Sequence, residues 1–396
     1  MENIKRAIIT PTYSGHFKFI SIYLKSLKKF LEDKDFPLYF VISKSDESGF
    51  KKIIRAYTDI LNINVLFIDD LFEHYKIPYT PDEFLKKFGS ISFQTMKKFY
   101  AGLFIGADQF LFLDSESMLV KPTNMNTLFD NFFKKPRFWV SRLNERCARY
   151  IYSPGYKGTA LHCKLLDMKP TLYAIESFEW FYDKKIFNNL FKEYGSPFEI
   201  ITNMQKLTDG KTEQVLEAFI YYQYLIKNHD KYGYEMPVVQ DEFKKFLGEK
   251  GYEHYMKRFE SSYWWFCGIF EEFMANIDKH TEEGFRKLID FHKLSILRSD
   301  GKAVNISSQM KQIKSPTVHI LAASQNHCLG LNFSWWKLGI DFFGIQKELS
   351  GIGRHFEKVV KPFYRVIKWF GEIASLFYYL IKMFFKCLFW FTRKEK

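Results

Sequence analysis

Gln109-Phe110-Leu111-Phe112-Leu113-Asp114-Ser115-Glu116 is the stretch on which the reading of this chain turns. An apolar run that is short, rich in aromatics and without alternation reads as a buried strand of a parallel sheet. It stops on two acids, at the carboxyl end where open α/β sheets bind their ligands. In an extended chain, side chains at i and i+2 share a face. Asp114 and Glu116 are then close enough to hold one hard, oxygen-seeking cation. A divalent ion there neutralises the diphosphate of a nucleotide and lets it depart. Asp-x-Glu also ends many strands as a plain solvated turn, so its weight comes from the residues around it.

Upstream, residues 6 to 10 read as a short buried strand closed by Pro11-Thr12-Tyr13-Ser14-Gly15. Phe17, Ile20, Leu24, Leu27 and Leu31 have helical spacing over residues 17 to 32. A second strand fits residues 38 to 43, with Lys44 to Ser48 as its loop, a second helix residues 50 to 60, and a third strand residues 64 to 68, ending on Asp69-Asp70. This β-α-β-α-β alternation predicts an α/β fold with a mostly parallel sheet and right-handed crossovers. There is no Gly-x-Gly-x-x-Gly turn and no Gly-Lys-Ser/Thr phosphate loop, which disfavours an NAD enzyme or a P-loop kinase. A helix over Ser92 to Gly106, carrying Gln94, Lys97 and Lys98, leads into the 109–116 strand. All the strand-end loops then open on one edge. Thr10, Thr12, Tyr13 and Asp46 are candidates for a nucleotide's base and ribose, and Lys97 for its phosphate. Each of these is also an ordinary turn or surface residue type.

The 396 residues suffice for one large α/β domain with an appendage, or for two domains. Aromatics make up 19%, with 44 Phe, which suits core packing, a membrane-facing surface and sugar stacking alike. Five cysteines are scattered with no Cys-x-x-Cys pair, which argues against zinc or a disulfide framework and fits a reducing cytoplasm. The first residues run straight into a strand, so no secretory leader is expected.

Three segments together carry a resemblance: Ala7-Ile8-Ile9-Thr10-Pro11-Thr12-Tyr13, Lys97-Lys98-Phe99-Tyr100-Ala101-Gly102-Leu103, and the run from Phe110 to Pro122. They resemble GT-A fold glycosyltransferases, and more narrowly bacterial transferases of surface polysaccharide whose first strand ends in Thr-Pro-Thr-Tyr. The resemblance covers residues 5 to 122 well and 123 to 330 in outline. It implies a GT-A-like (Rossmann-like) sheet flanked by helices, a helical acceptor-side region, a nucleotide-sugar donor (a UDP-sugar first) and Mn²⁺ or Mg²⁺. The family's Asp-x-Asp stands here as Asp114-Ser115-Glu116, whose longer second acid alters the metal geometry. By resemblance Asp114 touches ribose or metal and Glu116 ligates the metal.

In the second half, Phe138 to Leu143 reads as a strand returning to the sheet and Gly155 to His162 as a glycine-punctuated loop near the site. Trp180, amid acids and aromatics, is a candidate acceptor platform, or a core residue. A helix opens at Thr212-Glu213-Gln214-Val215-Leu216-Glu217 and runs through Tyr221, Tyr222 and Leu225. In inverting enzymes of the resembled fold, an acid at such a helix start deprotonates the acceptor. Glu213 is the first candidate base and Glu217, on the same helix face, the second; first-turn acids also simply complement the helix dipole. Residues 240 to 300 read as helix-rich and charged, and Thr317 to Leu321 as a late strand. Several such families complete the metal shell with a late histidine, for which His319 and His327 are the candidates.

Charge is concentrated at the end: residues 354 to 396 hold ten Lys/Arg against three Asp/Glu, in a chain of net charge +13. On a helical wheel Lys361, Arg365, Lys368, Glu372, Lys382, Lys386 and Arg393 form one stripe, and the rest is mostly Phe, Trp, Leu, Ile, Val and Tyr. Lys368 and Lys382 stand too close to leave a charge-free span. Such a helix is expected to lie on an anionic membrane through residues 356–396. The sequence thus divides into a nucleotide-sugar half (1–122), an acceptor half (123–335) and a membrane tail (336–396), a peripheral protein of the inner face of the cytoplasmic membrane. The expected activity is transfer of a sugar to a lipid-linked or cell-surface glycan. The alternative is a membrane-docked α/β binding protein without catalysis. Nucleic acid is disfavoured as a partner, because the basic residues line an apolar helix.

Overall fold

A computed structural model describes residues 5–142, 154–174, 179–207, 217–261, 279–299 and 315–323. The chain divides into two compact units, Met1–Gly330 and Leu331–Lys396, and all the described residues belong to the first.

In chain order the first half runs β1 (Arg6–Pro11), α1 (Phe17–Phe30), β2 (Leu38–Ile42), α2 (Glu47–Ile54), β3 (Ile63–Phe67), α3 (Ile68–His74), α4 (Pro81–Phe104), β4 (Gln109–Phe112), β5 (Ser117–Leu119) and α5 (Met125–Phe133). The second half adds β6 (Val140–Arg142), α6 (Pro154–Leu165), β7 (Leu172–Ala174), β8 (Phe181–Asp183), α7 (Lys184–Tyr194), α8 (Pro197–Leu207), α9 (Glu217–Tyr232), α10 (Val239–Ser261), α11 (Lys279–His292), β9 (Ile296–Ser299) and β10 (Ile320–Ala323).

The main sheet has the order β3-β2-β1-β4-β8. Its first four strands are parallel, with Ile8 opposite Leu38 and Leu111, and β8 closes the edge antiparallel to β4. This is the mostly parallel, helix-flanked α/β sheet expected from the sequence. The order reverses between β1 and β4: β2 and β3 build outward on one side of β1, and the chain then crosses back to place β4 on the other. Such a reversal, with its neighbouring crossovers on opposite faces, is where open α/β sheets form a crevice at their carboxyl edge.

Several elements differ from expectation. Asp69 and Asp70 lie in the first turn of α3 rather than in a loop, where acids complement the helix dipole. β6 does not return to the main sheet; it pairs with β7 in a separate ribbon, and the returning strand is β8. Gly155 to His162 lie in helix α6, not in a loop, so glycine there does not interrupt the backbone ladder. β10 joins a small sheet, antiparallel to β5 and parallel to β9.

Much of the aromatic excess fills the interior. Phe110 of β4 stacks on Tyr182 of β8 at 5.7 Å with nearly parallel rings, and Phe187 and Tyr221 pack around them. Offset and edge contacts of this kind add to the burial of the rings themselves. α4 ends where Lys184 donates to the carbonyls of Gly102, Leu103 and Ile105 at 2.5, 2.7 and 3.1 Å, a cation at the negative end of the helix.

Candidate functional site

The crevice at the β1/β4 reversal is built from four strand-end segments and one helix. After β1 the chain turns through Ser14–His16, with the His16 N–H on the Tyr13 carbonyl at 2.9 Å. The Ser14 N–H donates to Asp46 Oδ2 at 3.2 Å, and the Lys44 N–H donates to Asp69 Oδ2 at 2.8 Å. The loops after β1 and β2 and the first turn of α3 are therefore laced side by side by carboxylates accepting backbone N–H groups.

β4 ends at Phe112, and Asp114 to Ser117 make a turn closed by the Ser117 N–H on the Asp114 carbonyl at 3.0 Å. The two acids thus sit at i and i+2 of a turn, not of an extended chain, because the chain must reverse there to begin β5. A histidine reaches that turn all the same. His16 Nδ1 lies 2.7 Å from Ser115 Oγ and 3.5 Å from Glu116 Oε1. Ser115 Oγ donates to Glu116 Oε2 at 2.8 Å. Burial holds the His16 imidazole below its ordinary pKa; Asp114 opposes this, while Lys18 and Lys97 add to it.

The floor of the crevice is the second part of α4. Gly89 breaks that helix with φ 84° and ψ 167°, a conformation open essentially to glycine, so the segment beyond it takes its own direction. From that segment Gln94 Nε2 donates to Asp114 Oδ1 at 2.8 Å, and Lys98 Nζ lies 3.0 Å from the same oxygen. Gln94 and Lys98 are four apart and share a helix face, so both reach one carboxylate.

The expected site residues fall into three groups. Thr12, Tyr13, Asp46, Asp114 and Glu116 are brought to the crevice. Thr12 continues β1 through its N–H to the Val41 carbonyl at 3.0 Å, and its buried Oγ1 has no hydrogen-bond partner among the described residues. Tyr13 is 48% exposed with its ring 4.3 Å from that of His16. A side chain at Gly15 would meet the Tyr13 ring, so that ring would have to shift from its place beside His16.

A second group is present but differently employed. Thr10 is buried with its hydroxyl toward Tyr23 of α1, on the core side. The Lys97 ammonium, expected to meet phosphate, is buried and donates to the Thr12 carbonyl at 2.8 Å. Trp180 is 4% exposed, with Lys98 Nζ 5.1 Å from its ring, so its ring does not offer the open face an acceptor platform needs.

The third group is elsewhere or outside the described residues. His319 precedes β10 and accepts the Val120 N–H at 3.1 Å, while its Nδ1 lies 3.0 Å from Thr123 Oγ1. From Glu116 to Val120 the chain runs roughly 13 Å through β5, so His319 is set at the far end of that strand from the acids. Antiparallel pairing of β10 with β5 puts it there. Glu217 opens α9; its side chain, like Glu213, His327 and residues 356–396, lies outside what is described.

Sequence reasoning missed His16 and Lys98. The four-residue spacing of Gln94 and Lys98 is a signal that would have found the lysine. His16 left none, because it meets Ser115 of the acid turn across 99 residues of chain.

Carboxylate oxygens are donors suited to Mg²⁺ or Mn²⁺. Among the described residues no group of three or more His, Cys, Asp and Glu side chains is arranged to hold a metal ion. A cation held by Asp114 and Glu116 would have to take its other ligands from substrate phosphate and water, the usual arrangement for Mg²⁺.

No family model matches the chain, and no curated protein matches it significantly. Among solved structures it is similar to the apo form of mouse xyloside xylosyltransferase 1, at 11% identity over 60% of this chain and 86% of that one, with a TM-score of 0.34. It is similar to the galactosyltransferase LgtC in complex with donor and acceptor sugar analogues, at 12% identity over 65% and 84%, TM-score 0.36. A third is core-mannan synthase A from Aspergillus fumigatus in its Mn/GDP form, at 10% identity over 61% and 74%, TM-score 0.36. Overlaps this partial carry no activity over to the present chain, whose function is argued from its own residues.

Proposed function

We propose that this protein is a glycosyltransferase that moves a sugar from a nucleotide-sugar donor to a glycan or glycolipid acceptor held at a membrane. One observation carries the reading: the loop after β1 and the acid turn after β4 meet at the reversal of strand order, with His16 Nδ1 2.7 Å from Ser115 Oγ. That is where an open α/β sheet binds a nucleotide.

In this reading residues 1–122 hold the donor, 123–335 the acceptor, and 336–396 the membrane. The exposed Tyr13 ring stacks on the base, and the Thr12 hydroxyl and Asp46 serve the ribose. Asp114 and Glu116 hold Mn²⁺ or Mg²⁺ together with the diphosphate of a UDP-sugar. The bound cation supplies charge neutralisation for the departing diphosphate. Glu217, which opens α9, or Glu213, four residues earlier in the sequence, takes the proton of the acceptor hydroxyl, with inversion at the anomeric carbon. The basic, aromatic tail keeps the protein on the inner face of the cytoplasmic membrane, where a lipid-linked acceptor resides.

The test is a panel of nucleotide sugars assayed for Mn²⁺- or Mg²⁺-dependent hydrolysis and transfer, with Asp114→Ala and Glu116→Ala as controls. Loss of turnover in both variants with the fold intact supports the reading. Equal turnover in wild type and variants refutes it. The Lys98–Asp114 ion pair favours a second reading, a binding module in which a lysine rather than a metal neutralises the acid. Metal-independent nucleotide binding without turnover would select it.

A further inference from the structure

We propose that His16 is the positioning residue of the acid turn: a proton on its Nδ1, donated to the Ser115 hydroxyl, fixes the direction in which that hydroxyl holds Glu116 beside Asp114. The inference rests on the reading of this turn as the cation site, and it makes the middle residue of Asp114-Ser115-Glu116 a working part of the motif.

The argument is one of hydrogen-bond valence. The Ser115 hydroxyl has a single proton, and it is directed to Glu116 Oε2 at 2.8 Å. A carboxylate only accepts, so the proton comes from serine. The remaining contact of Oγ, 2.7 Å from His16 Nδ1, is then completed only by an N–H on the ring. The relay runs from Nδ1–H to Oγ–H to Oε2, and it fixes the tautomer of the imidazole as well as the rotamer of the glutamate.

The parts are held for this role. Ser115 is buried, so water does not compete for its hydroxyl. The His16 ring is pressed by Tyr13 at 4.3 Å and meets Phe19 edge-on at 5.5 Å. The short turn that carries it is tied to Asp46 through the Ser14 N–H. A residue from the loop after β1 thus sets the acid at the end of β4.

Two measurements on the full chain test this. With ¹⁵N-labelled histidine, NMR near neutral pH should show Nδ1 of His16 protonated in the wild type, and Ser115→Ala should return the ring to a mixture of tautomers. Calorimetry with Mn²⁺ alone should show His16→Ala and Ser115→Ala each weakening binding on the order of 10-fold, as outer partners of metal ligands do. The double variant should bind no worse than the weaker single one. His16→Asn, whose amide N–H overlays Nδ1–H, should recover most of the affinity. A merely structural histidine would lower thermal stability without non-additivity and without rescue by asparagine. An Nδ1 that carries no proton in the wild type, or additive losses, overturns the proposal. If the NMR result holds while the wild type binds no Mn²⁺ even with UDP present, the cation of the proposed function fails and the relay stands.

Discussion

Lys98 lies beneath Asp114, its Nζ 3.0 Å from Oδ1; the lysine side chain is 2% exposed and the aspartate 21%. The two partners of this ion pair are unequal. Asp114 keeps access to water and a second donor in Gln94, whereas Lys98 has only protein around its ammonium, with the Trp180 and Phe112 rings at 5.1 and 6.0 Å.

That asymmetry predicts the order of a mutant series. Asp114→Ala removes the carboxylate that faces a buried ammonium and should cost up to about 3–5 kcal/mol, the range for removing one partner of a buried pair. Lys98→Met leaves a carboxylate that reaches solvent and should cost less. The double variant should be more stable than Asp114→Ala alone. Urea denaturation of the four proteins checks the order, and equal losses in the two single variants would contradict it.

Gly89 sets the direction of the helix segment that delivers Gln94 and Lys98. Its backbone, at φ 84° and ψ 167°, is strained for any residue with a Cβ. Gly89→Ala should therefore destabilise by roughly 1–3 kcal/mol, and should loosen nucleotide binding by shifting both side chains from Asp114. Thermal unfolding with and without UDP and Mn²⁺ separates the two effects.

Lys97 gives a pH signature. Burial pushes its ammonium down from 10.5 to about 8, with Asp46 and Asp69 pulling weakly the other way. Between about 8 and 10.5 the unfolded chain holds a proton that the folded protein has released, so this group makes stability rise with pH in that window. Below it both states are protonated and the cost of burying the charge is fully present. The stability difference between wild type and Lys97→Met should therefore grow in favour of the wild type from pH 8 to 10. A flat difference would show that the ammonium is solvated. Lys184, also held near 8 by burial, contributes equally to both proteins and cancels.

The tail reading predicts salt-sensitive binding of the full chain to anionic vesicles. Each basic residue near such a surface is worth about 1 kcal/mol. Replacing Lys361, Arg365 and Lys368 by glutamine should weaken binding on the order of 100-fold, with little change on neutral vesicles. Among the described residues no helix is long and apolar enough to cross a membrane. Co-sedimentation that ignores both salt and substitutions would remove the tail from the proposed function.

The sequence by itself determined the alternation of strands and helices in the first half, the parallel sheet and the place of the acids at a strand end. Those features are local: apolar runs, helical spacing and turn residues act on near neighbours, and β1 to β4 fall within a residue or two of where the pattern puts them. Only the tertiary structure decided what each side chain of the site touches. Lys97 and Lys98 are adjacent in sequence, yet one supports the Thr12 carbonyl and the other the Asp114 carboxylate, because a helix turns about 100° between them. Strand pairing sent His319 to the wrong end of β5 for a ligand, packing closed the face of Trp180, and loop approach brought His16 to Ser115 of the acid turn from 99 residues away. Contacts of that kind depend on how distant segments pack together, and no short-range pattern encodes them.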